Sequence, residues 1–346
     1  MKTKVLIVDD SAVVRNLMHS ILSSDSSIDV VGSAPDPFIA RDKILKFNPD
    51  VVTLDVEMPR MDGITFLKKL MKHFPVPVVI VSSLTQKGAI TTMKAFEAGA
   101  IDVIAKPEMD LTKGMEIIAK DIIDKVKIAA TARVNRRVEM EEPVSATRRI
   151  ITRALVKSTH KVIAIGASTG GTEAIREVLT RMPADTPGTV IVQHMPEKFT
   201  KAFAERLNEQ CAMEVREARE GDGVYPGIAL IAPGSHHMVL KRSGARYYVS
   251  LNQNAPVFHQ RPSVEVLFES VANYAGANSV GVILTGMGSD GAKGMLAMKE
   301  AGARTIAQDE KSCVVFGMPK EAIKAGGVDK TLSLKDIPSA ILTMCG

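Results

Sequence analysis

Short apolar runs alternate with amphipathic stretches along most of this 346-residue chain. In the first part, the apolar runs are Val5–Val8, Val30–Ser33, Val51–Leu54, Val78–Val81 and Val103–Ala105. The stretches between them carry apolar residues at the three- and four-residue intervals of a helix face. β-Branched runs that alternate with helices indicate a parallel sheet covered on both faces. We therefore predict a five-stranded parallel α/β domain over residues 1–127.

The same alternation returns after residue 160 and predicts a second α/β domain over residues 160–346. Its predicted strands are Val162–Ile165, Thr189–Gln193, Glu214–Glu217, Ile228–Ala232, Val280–Thr285 and Thr305–Ala307. Two weaker runs, Met238–Leu240 and Tyr247–Leu251, predict an antiparallel hairpin through Ser243-Gly244. We expect a doubly wound, mainly parallel sheet with this hairpin attached.

The net charge of +5 comes mostly from one short segment between the two domains. Residues 131–160 carry 7 basic and 3 acidic side chains, whereas residues 1–130 carry 17 of each and residues 161–346 carry 20 and 19. The segment lacks sustained apolar periodicity, so residues 128–159 are predicted to be a linker. With no Trp, 4% aromatic residues and no helix-turn-helix pattern, a nucleic-acid partner is not expected.

No apolar run is long enough for a membrane-spanning helix, and the N-terminal MKTKVLIVDD leads directly into a strand pattern. The cysteines, Cys211, Cys313 and Cys345, have neither metal-binding nor redox spacing. We expect a reduced, cytoplasmic protein without a signal peptide or direct membrane insertion.

Polar side chains follow four of the five predicted strands of the first domain. Asp9 and Asp10 follow the first strand, Asp55 the third, Ser82 the fourth and Lys106 the fifth. These strand ends share one edge of a parallel sheet, so the three carboxylates meet in one crevice and require a cation. Oxygen ligands with room for water suit Mg²⁺, while Lys106 and Ser82 suit a phosphoryl group. Each residue alone is commonly a helix cap, but the joint pattern rarely arises by chance.

Residues 1–127 resemble a two-component receiver domain, which implies the flavodoxin-like (βα)5 fold. The matching motifs are Val-Asp9-Asp10-Ser, Leu-Asp55-Val-Glu57-Met-Pro-Arg-Met-Asp-Gly, Val-Ser82-Ser and Ala-Lys106-Pro. The resemblance implies that Asp55 accepts a phosphoryl group from a histidine kinase, and that Ser82 and Lys106 sense it. It also implies a set of Mg²⁺ ligands: Asp10, Asp55 and the Glu57 carbonyl, with Asp9 assisting. Val103 stands where many receivers carry an aromatic residue.

In the second domain, Ser168 lies in Gly166-Ala167-Ser168-Thr169-Gly170-Gly171, directly after the strand Val162–Ile165. The segment has the G-x-S-x-G pattern of a nucleophile elbow, in which glycines permit a sharp turn from strand to helix. Either ester chemistry occurs at this serine, or a phosphate-bearing cofactor lies against the helix N-terminus.

Two further strand ends supply partners for Ser168. His194 follows the next strand and Asp290 follows a later one, so the imidazole can take the hydroxyl proton while the carboxylate orients the ring. The order Ser, His, Asp disfavours the α/β-hydrolase fold, whose order is Ser, Asp, His. Taken alone, Ser168 and Asp290 could each be the N-cap of a helix, and His194 could be a structural histidine with satisfied hydrogen bonds.

A dinucleotide site is the main rival interpretation. Gly286–Gly291 is a literal G-x-G-x-x-G, and Asp309 follows at the distance of a ribose-binding acid. However, this motif lies near the C-terminus, and the Asp290 carboxylate within it would repel a pyrophosphate. Glycine-rich amides that face an oxyanion fit the same residues without that repulsion.

The whole chain resembles the chemotaxis response regulator protein-glutamate methylesterases. The resemblance is carried by Ile165–Ile175, Gln193–Pro196, Phe203–Asn208 and Leu284–Gly291, in family order behind a receiver and a linker. It implies that Ser168 is the nucleophile, His194 the general base and Asp290 the orienting carboxylate, with the N–H groups of Met287 and Thr169 stabilising the oxyanion. One departure is Gln260, which stands where the family has a His before Arg-Pro-Ser-Val, with His259 one residue earlier.

The resemblance implies a hydrolase, a serine esterase that demethylates glutamate methyl esters and deamidates glutamines on methyl-accepting chemotaxis receptors. It implies Mg²⁺ at the receiver, no cofactor for the esterase chemistry, a chemotaxis histidine kinase as phosphodonor, and adaptation in bacterial chemotaxis as the role. We expect a monomer in which the unphosphorylated receiver restricts access to Ser168. A binding-module output and a dinucleotide-dependent enzyme are the alternatives.

Overall fold

The computed structural model describes residues 2–58, 62–106, 115–132 and 161–346. These residues belong to two units, residues 1–138 and 139–346. The last helix of the first unit runs to Ala130, so the first residues of the predicted linker continue a helix. Most of that linker lies outside the described residues, and the predicted domain bounds stay a prediction.

The first unit is a five-stranded parallel sheet, in the order β2-β1-β3-β4-β5, with a helix after each strand. Its strands are β1 (Thr3–Val8), β2 (Ile28–Ala34), β3 (Val51–Asp55), β4 (Val78–Ser82) and β5 (Asp102–Ala105). Its helices are α1 (Ala12–Ser23), α2 (Pro37–Phe47), α3 (Gly63–His73), α4 (Gln86–Ala98) and α5 (Met115–Ala130). The predicted receiver-type fold is confirmed.

Side-chain caps fix where four of these helices begin. The N-cap residues are Ser11, Asp36, Asp62 and Thr85, and each accepts from a main-chain N–H in the first turn. Every strand residue of β3 and β4 is buried, as expected for a parallel sheet covered on both faces. The two strands therefore leave Asp55 and Ser82 at their carboxyl ends.

The second unit contains two sheets. Its strands are β6 (Val162–Ala167), β7 (Gly188–Gln193), β8 (Glu214–Glu217), β9 (Gly223–Val224), β10 (Ile228–Ile231), β11 (His237–Ser243), β12 (Arg246–Asn252), β13 (Ser279–Ile283), β14 (Arg304–Gln308) and β15 (Lys330–Leu332). Its helices are α6 (Gly171–Leu179), α7 (Phe199–Asn208), α8 (Val264–Tyr274), α9 (Ala292–Glu300), α10 (Met318–Lys324) and α11 (Ile337–Cys345), with a 3₁₀ turn at Gly276–Asn278.

The seven-stranded sheet has the order β15-β14-β13-β6-β7-β10-β8, and all of its pairs are parallel. The predicted hairpin is present as β11 and β12, and β12 also pairs with the short strand β9 in this separate antiparallel sheet. The predicted fold class is therefore confirmed, whereas β9 and β15 were not predicted.

The chain leaves β6 in one direction, towards β7, and leaves β13 in the other, towards β14, although β6 and β13 are neighbours. Such a reversal opens a crevice beyond the carboxyl ends of the two strands, where α/β sheets bind ligands. None of the helices among the described residues has the length and apolar character needed to cross a bilayer.

Candidate active site

In the first unit, the predicted acidic residues meet at the edge formed by the strand ends. Carboxylate oxygens of Asp9, Asp10 and Asp55 all lie within 4.8 Å of one another. Lys106 Nζ lies 2.7 Å from Asp55 Oδ2 and 3.3 Å from Asp9 Oδ2. Asp9 Oδ2 is buried, and its contact among the described residues is the ion pair with Lys106. An oxygen of this kind suits a hard cation, so the residues fit Mg²⁺.

The charges of this cluster affect one another. Burial and the nearby Asp55 carboxylate raise the pKa of Asp9 above its usual value. Burial alone would lower the pKa of Lys106, but the charges of Asp55 and Asp9 outweigh it and raise that pKa. Lys106 therefore remains a cation and neutralises part of an otherwise repulsive carboxylate cluster.

The other predicted receiver residues lie around Asp55. The Glu57 N–H donates to Asp55 Oδ1 at 2.9 Å, so Glu57 is next to the acidic cluster. Ser82 is fully buried at the end of β4 and donates to the Gly88 carbonyl at 3.3 Å. Val103 is buried in β5. The roles of these residues stay predictions.

In the second unit, the turn that carries Ser168 is fixed from both sides. The Ser168 N–H donates to the Thr285 carbonyl at 3.0 Å, beyond β13, and its own carbonyl accepts from Gly171 at 2.7 Å. The N-cap of α6 is Gly170, with φ 77° and no side-chain cap. Ser168 is therefore not the cap of this helix, and its half-buried side chain stands at the sheet edge.

His194 is the neighbour of Ser168 across the sheet. Ala167 pairs with Gln193 where β6 and β7 end, and the His194 N–H donates to the Ala167 carbonyl at 3.1 Å. Ser168 and His194 are thus adjacent on strands that are about 4.8 Å apart. In the described part of the chain, no hydrogen bond joins the Ser168 hydroxyl to the imidazole. Such contacts commonly tighten only when substrate binds.

Asp290 completes the cluster by contacting the imidazole. Its Oδ2 lies 2.7 Å from His194 Nε2, and only 7% of the His194 side chain and 3% of the Asp290 side chain are exposed. Burial alone would raise the pKa of Asp290, but bonds from His194, the Glu265 N–H and Ser263 outweigh it and lower that pKa. The carboxylate therefore stays ionised beside the ring. Because Asp290 contacts Nε2, Nδ1 is the ring nitrogen of His194 that faces away from this carboxylate.

The N-terminus of α8 supports Asp290, a contact that the sequence analysis does not predict. The Ser263 hydroxyl donates to Asp290 Oδ1 at 2.7 Å, and the main-chain N–H groups of Val264 and Glu265 donate to its two oxygens at 2.8 and 2.9 Å. Asp290 thus caps α8 instead of the helix that follows it, whose N-cap is Gly291. A cap between residues 25 to 27 positions apart leaves no periodic signal in the sequence.

Gln193 is a second residue that the sequence did not identify as part of the site. Its Nε2 donates to the main-chain carbonyls of Ser168 at 2.9 Å and His194 at 3.1 Å. One buried amide therefore joins the two turns that carry the nucleophile and base candidates.

The predicted oxyanion residues lie on opposite sides of Ser168. Thr169 follows it directly and is buried, while Met287 lies in the loop after β13 and is 46% exposed. That loop approaches the serine closely, because a Cβ placed on Gly286 would lie 2.7 Å from Ser168 Cβ. The Met287 N–H has no acceptor among the described residues. The oxyanion role of Met287 and Thr169 stays a prediction.

The rival dinucleotide interpretation does not fit this geometry. Asp290 is bound to His194 and α8, which places an ionised carboxylate inside the supposed phosphate loop. Asp309 Oδ1 accepts from the N–H and hydroxyl of Ser312, at 3.0 and 2.5 Å, so this carboxylate closes its own turn. Neither acid is placed to recognise a ribose or to admit a pyrophosphate.

The segment that departs from the family pattern forms a tight turn. Val257 and Gln260 are bridged across Phe258 and His259, whose φ angles are 50° and 62°. The His259 side chain is exposed. A different histidine, His237, is buried. Its Nε2–H donates to the Ala255 carbonyl at 3.1 Å, and its pKa is lowered mainly by burial.

Comparisons with known proteins agree with these two units. Residues 5–119 match the response regulator receiver domain model, and residues 163–341 match the CheB methylesterase model. The chain is 58% identical over 345 residues to protein-glutamate methylesterase/protein-glutamine glutaminase 2 of Syntrophus aciditrophicus, covering 99% of both chains. It is 54% identical over 341 residues to the protein-glutamate methylesterase/protein-glutamine glutaminase of Salmonella typhimurium, covering 99% of this chain and 96% of that one.

One solved structure resembles the second unit. The crystal structure of the Thermotoga maritima CheB methylesterase catalytic domain superposes with a TM-score of 0.53 at 37% identity. The match covers 54% of this chain and 100% of that chain.

Proposed function

This chain belongs to the CheB methylesterase family, and from that premise we propose that it is a receiver-controlled hydrolase acting on methyl-accepting chemotaxis receptors. It converts glutamate methyl esters to glutamate and methanol, and receptor glutamines to glutamate and ammonia. The reaction serves adaptation in bacterial chemotaxis. The observation that carries the proposal is the convergence of Ser168, His194 and Asp290 at the switch point of the parallel sheet. Relatives named for both activities support it over nearly the whole chain.

In the first half of the reaction, Ser168 Oγ attacks the ester carbonyl carbon and His194 Nδ1 takes the hydroxyl proton. Asp290 holds the ring through Nε2 and stabilises the imidazolium that forms. The tetrahedral intermediate collapses to an acyl-enzyme on Ser168 as His194 returns the proton to the departing methanol oxygen.

In the second half, water attacks the acyl carbon while His194 takes one of its protons. Collapse releases the glutamate side chain and returns that proton to Ser168. A glutamine follows the same route, with ammonia as the leaving group in the first half. The N–H groups of Met287 and Thr169 stabilise the oxyanion in both halves, as preorganised donors in a partly buried site do.

The receiver supplies the control. Asp55 accepts a phosphoryl group from a chemotaxis histidine kinase, and Ser82 and Lys106 contact that group. Asp10, Asp55 and the Glu57 carbonyl, with Asp9, would hold Mg²⁺, which would neutralise the phosphoryl oxygens. Phosphorylation then favours a receiver conformation that leaves Ser168 accessible. The protein works in the cytoplasm as a monomer, with residues 128–159 as the linker between residues 1–127 and 160–346.

Methanol release from methylated receptor tests the function. Wild type releases methanol, whereas Ser168→Ala lowers the rate at least 10³-fold, because no other hydroxyl replaces the nucleophile. Ser339→Ala is the matched control, since its exposed hydroxyl on α11 lies outside the site. Equal methanol release by Ser168→Ala and wild type would exclude Ser168 as the nucleophile, whereas no release by the wild type would assign the output of this chain to binding.

A further inference from the structure

Two carboxylates cap each other's helices beside the imidazole. Asp290 lies just before α9 and accepts from the first N–H groups of α8, those of Val264 and Glu265. Glu265 lies on α8 and accepts at Oε2 from the Gly291 N–H, which begins α9, at 3.0 Å. The Gly294 N–H also bonds to this carboxyl. Each helix thus receives its cap from the other, and one of the two caps is the carboxylate that contacts His194.

α9 depends on this arrangement because it cannot provide its own cap. Its N-cap residue is Gly291, with φ 88°, and a Cβ there would lie 2.5 Å from Val264 Cγ1. A serine or aspartate, the ordinary capping residues, is therefore excluded at this position. The carboxyl of Glu265 provides the acceptor that the glycine lacks.

Glu265 is also enclosed in the protein. It is 5% exposed, and its Oε1 is buried without a hydrogen-bond partner among the described residues. The charged groups that act on it are Asp290, from the loop before α9, and Glu269, from its own helix. Burying a carboxyl near two like charges destabilises the folded protein. The hydrogen bonds that Glu265 makes to the start of α9 offset part of this cost.

We propose that Glu265 is a positioning residue of the esterase, which fixes the start of α9 and thereby holds Asp290 at its 2.7 Å contact with His194. The inference rests on the proposed function of Ser168, His194 and Asp290. If the Gly291 N–H loses its acceptor, the adjacent Asp290 backbone is free to shift. A displacement of about 1 Å at the carboxylate is enough to cost roughly 10²-fold in rate.

The environment of Glu265 also favours its neutral form. Burial, followed by the charges of Asp290 and Glu269, raises the pKa of Glu265 from 4.5 to about 7. A neutral side chain of the same length that keeps an oxygen acceptor for the Gly291 N–H is therefore a close substitute for it.

Steady-state methanol release by the full chain tests the proposal, with Mg²⁺ and beryllofluoride holding every variant in one receiver state. For Glu265→Ala we expect kcat about 10–100-fold lower with KM within roughly threefold. For Glu265→Gln, whose amide oxygen still accepts from Gly291, we expect kcat within about threefold of wild type.

Glu269→Gln is the matched control, because it removes an exposed carboxylate from the same helix without removing a bond to α9. Circular dichroism gives the folded fraction, and rates are expressed per folded molecule. Wild-type kcat in Glu265→Ala overturns the positioning role, and so does a loss of kcat in Glu265→Gln as large as that in Glu265→Ala. Failure of the proposed function looks different, since Ser168→Ala would then retain methanol release.

Discussion

His194 presents its Nε2 atom to Asp290, at 2.7 Å from Oδ2. In the common Ser-His-Asp arrangement, the carboxylate binds Nδ1 and the serine faces Nε2. Under the proposed mechanism the two ring nitrogens exchange these roles, and we expect the proton of Ser168 to pass to Nδ1. Ser168 follows β6, which lies between β7, the strand before His194, and β13, the strand before the loop that carries Asp290.

Replacing Asp290 by asparagine tests this pairing. The amide cannot stabilise the imidazolium, so we expect Asp290→Asn to lower kcat for methanol release by about 10³–10⁴-fold. Asp309→Asn is the control, because Asp309 closes a separate turn with Ser312. We expect that variant to stay within about twofold of wild type. A similar loss in both variants would contradict the assignment of Asp290.

A methyl group at Gly286 should press against both Met318 and Ser168. A Cβ at this position would contact Met318 Sδ most closely and would lie 2.7 Å from Ser168 Cβ, closer than side chains pack. We expect Gly286→Ala to lower kcat at least tenfold and to destabilise the protein by about 1–3 kcal/mol. Gly32→Ala is the control, since its Cβ would make ordinary contacts at 3.6 Å. Wild-type kcat in Gly286→Ala would show that the loop after β13 moves to accommodate the methyl group and leaves Ser168 in place.

The sequence predicts the parts of the site that lie at strand ends, since the ends of parallel strands share one edge. Ser168, His194 and Asp290 each follow an apolar run, which is why their convergence was foreseeable. Ser263 and Glu265 were missed because their contacts with the loop before α9 join two helices through single hydrogen bonds. Strands β9 and β15 were missed because two or three residues are too few for a periodic pattern.

Glu265 should make the stability of the protein depend on pH. Its folded pKa of about 7 lies above the ordinary 4.5, so the folded state prefers the protonated form. Stability is therefore lost as the pH rises from about 4.5 to 7, by up to ~3 kcal/mol. We expect Glu265→Gln to gain stability relative to wild type over this range, as measured by thermal unfolding. A constant difference between the two proteins at all pH values would contradict the raised pKa.

The receiver cluster should bind Mg²⁺ in competition with Lys106. The ammonium lies 2.7 Å from Asp55 and 3.3 Å from Asp9, and it neutralises the carboxylates that a cation requires. We expect Lys106→Met to tighten Mg²⁺ binding roughly tenfold and Asp9→Asn to weaken it by a similar factor, measured by titration calorimetry. Asp62→Asn is the control, because Asp62 caps α3. Equal affinities in all four proteins would place the cation elsewhere.

Control by the receiver predicts that removing it releases the esterase. Residues 160–346 contain Ser168, His194 and Asp290 together with every contact described for them. The corresponding Thermotoga maritima catalytic domain, all of which matches this chain, was crystallised as a separate domain. If the unphosphorylated receiver restricts access to Ser168, this fragment should release methanol faster than the unphosphorylated full chain, with an unchanged pH profile. Asp55→Asn in the full chain should remain at the low rate with or without a phosphodonor. A fragment no faster than the unphosphorylated full chain would show that phosphorylation activates the esterase directly and does not relieve an inhibition.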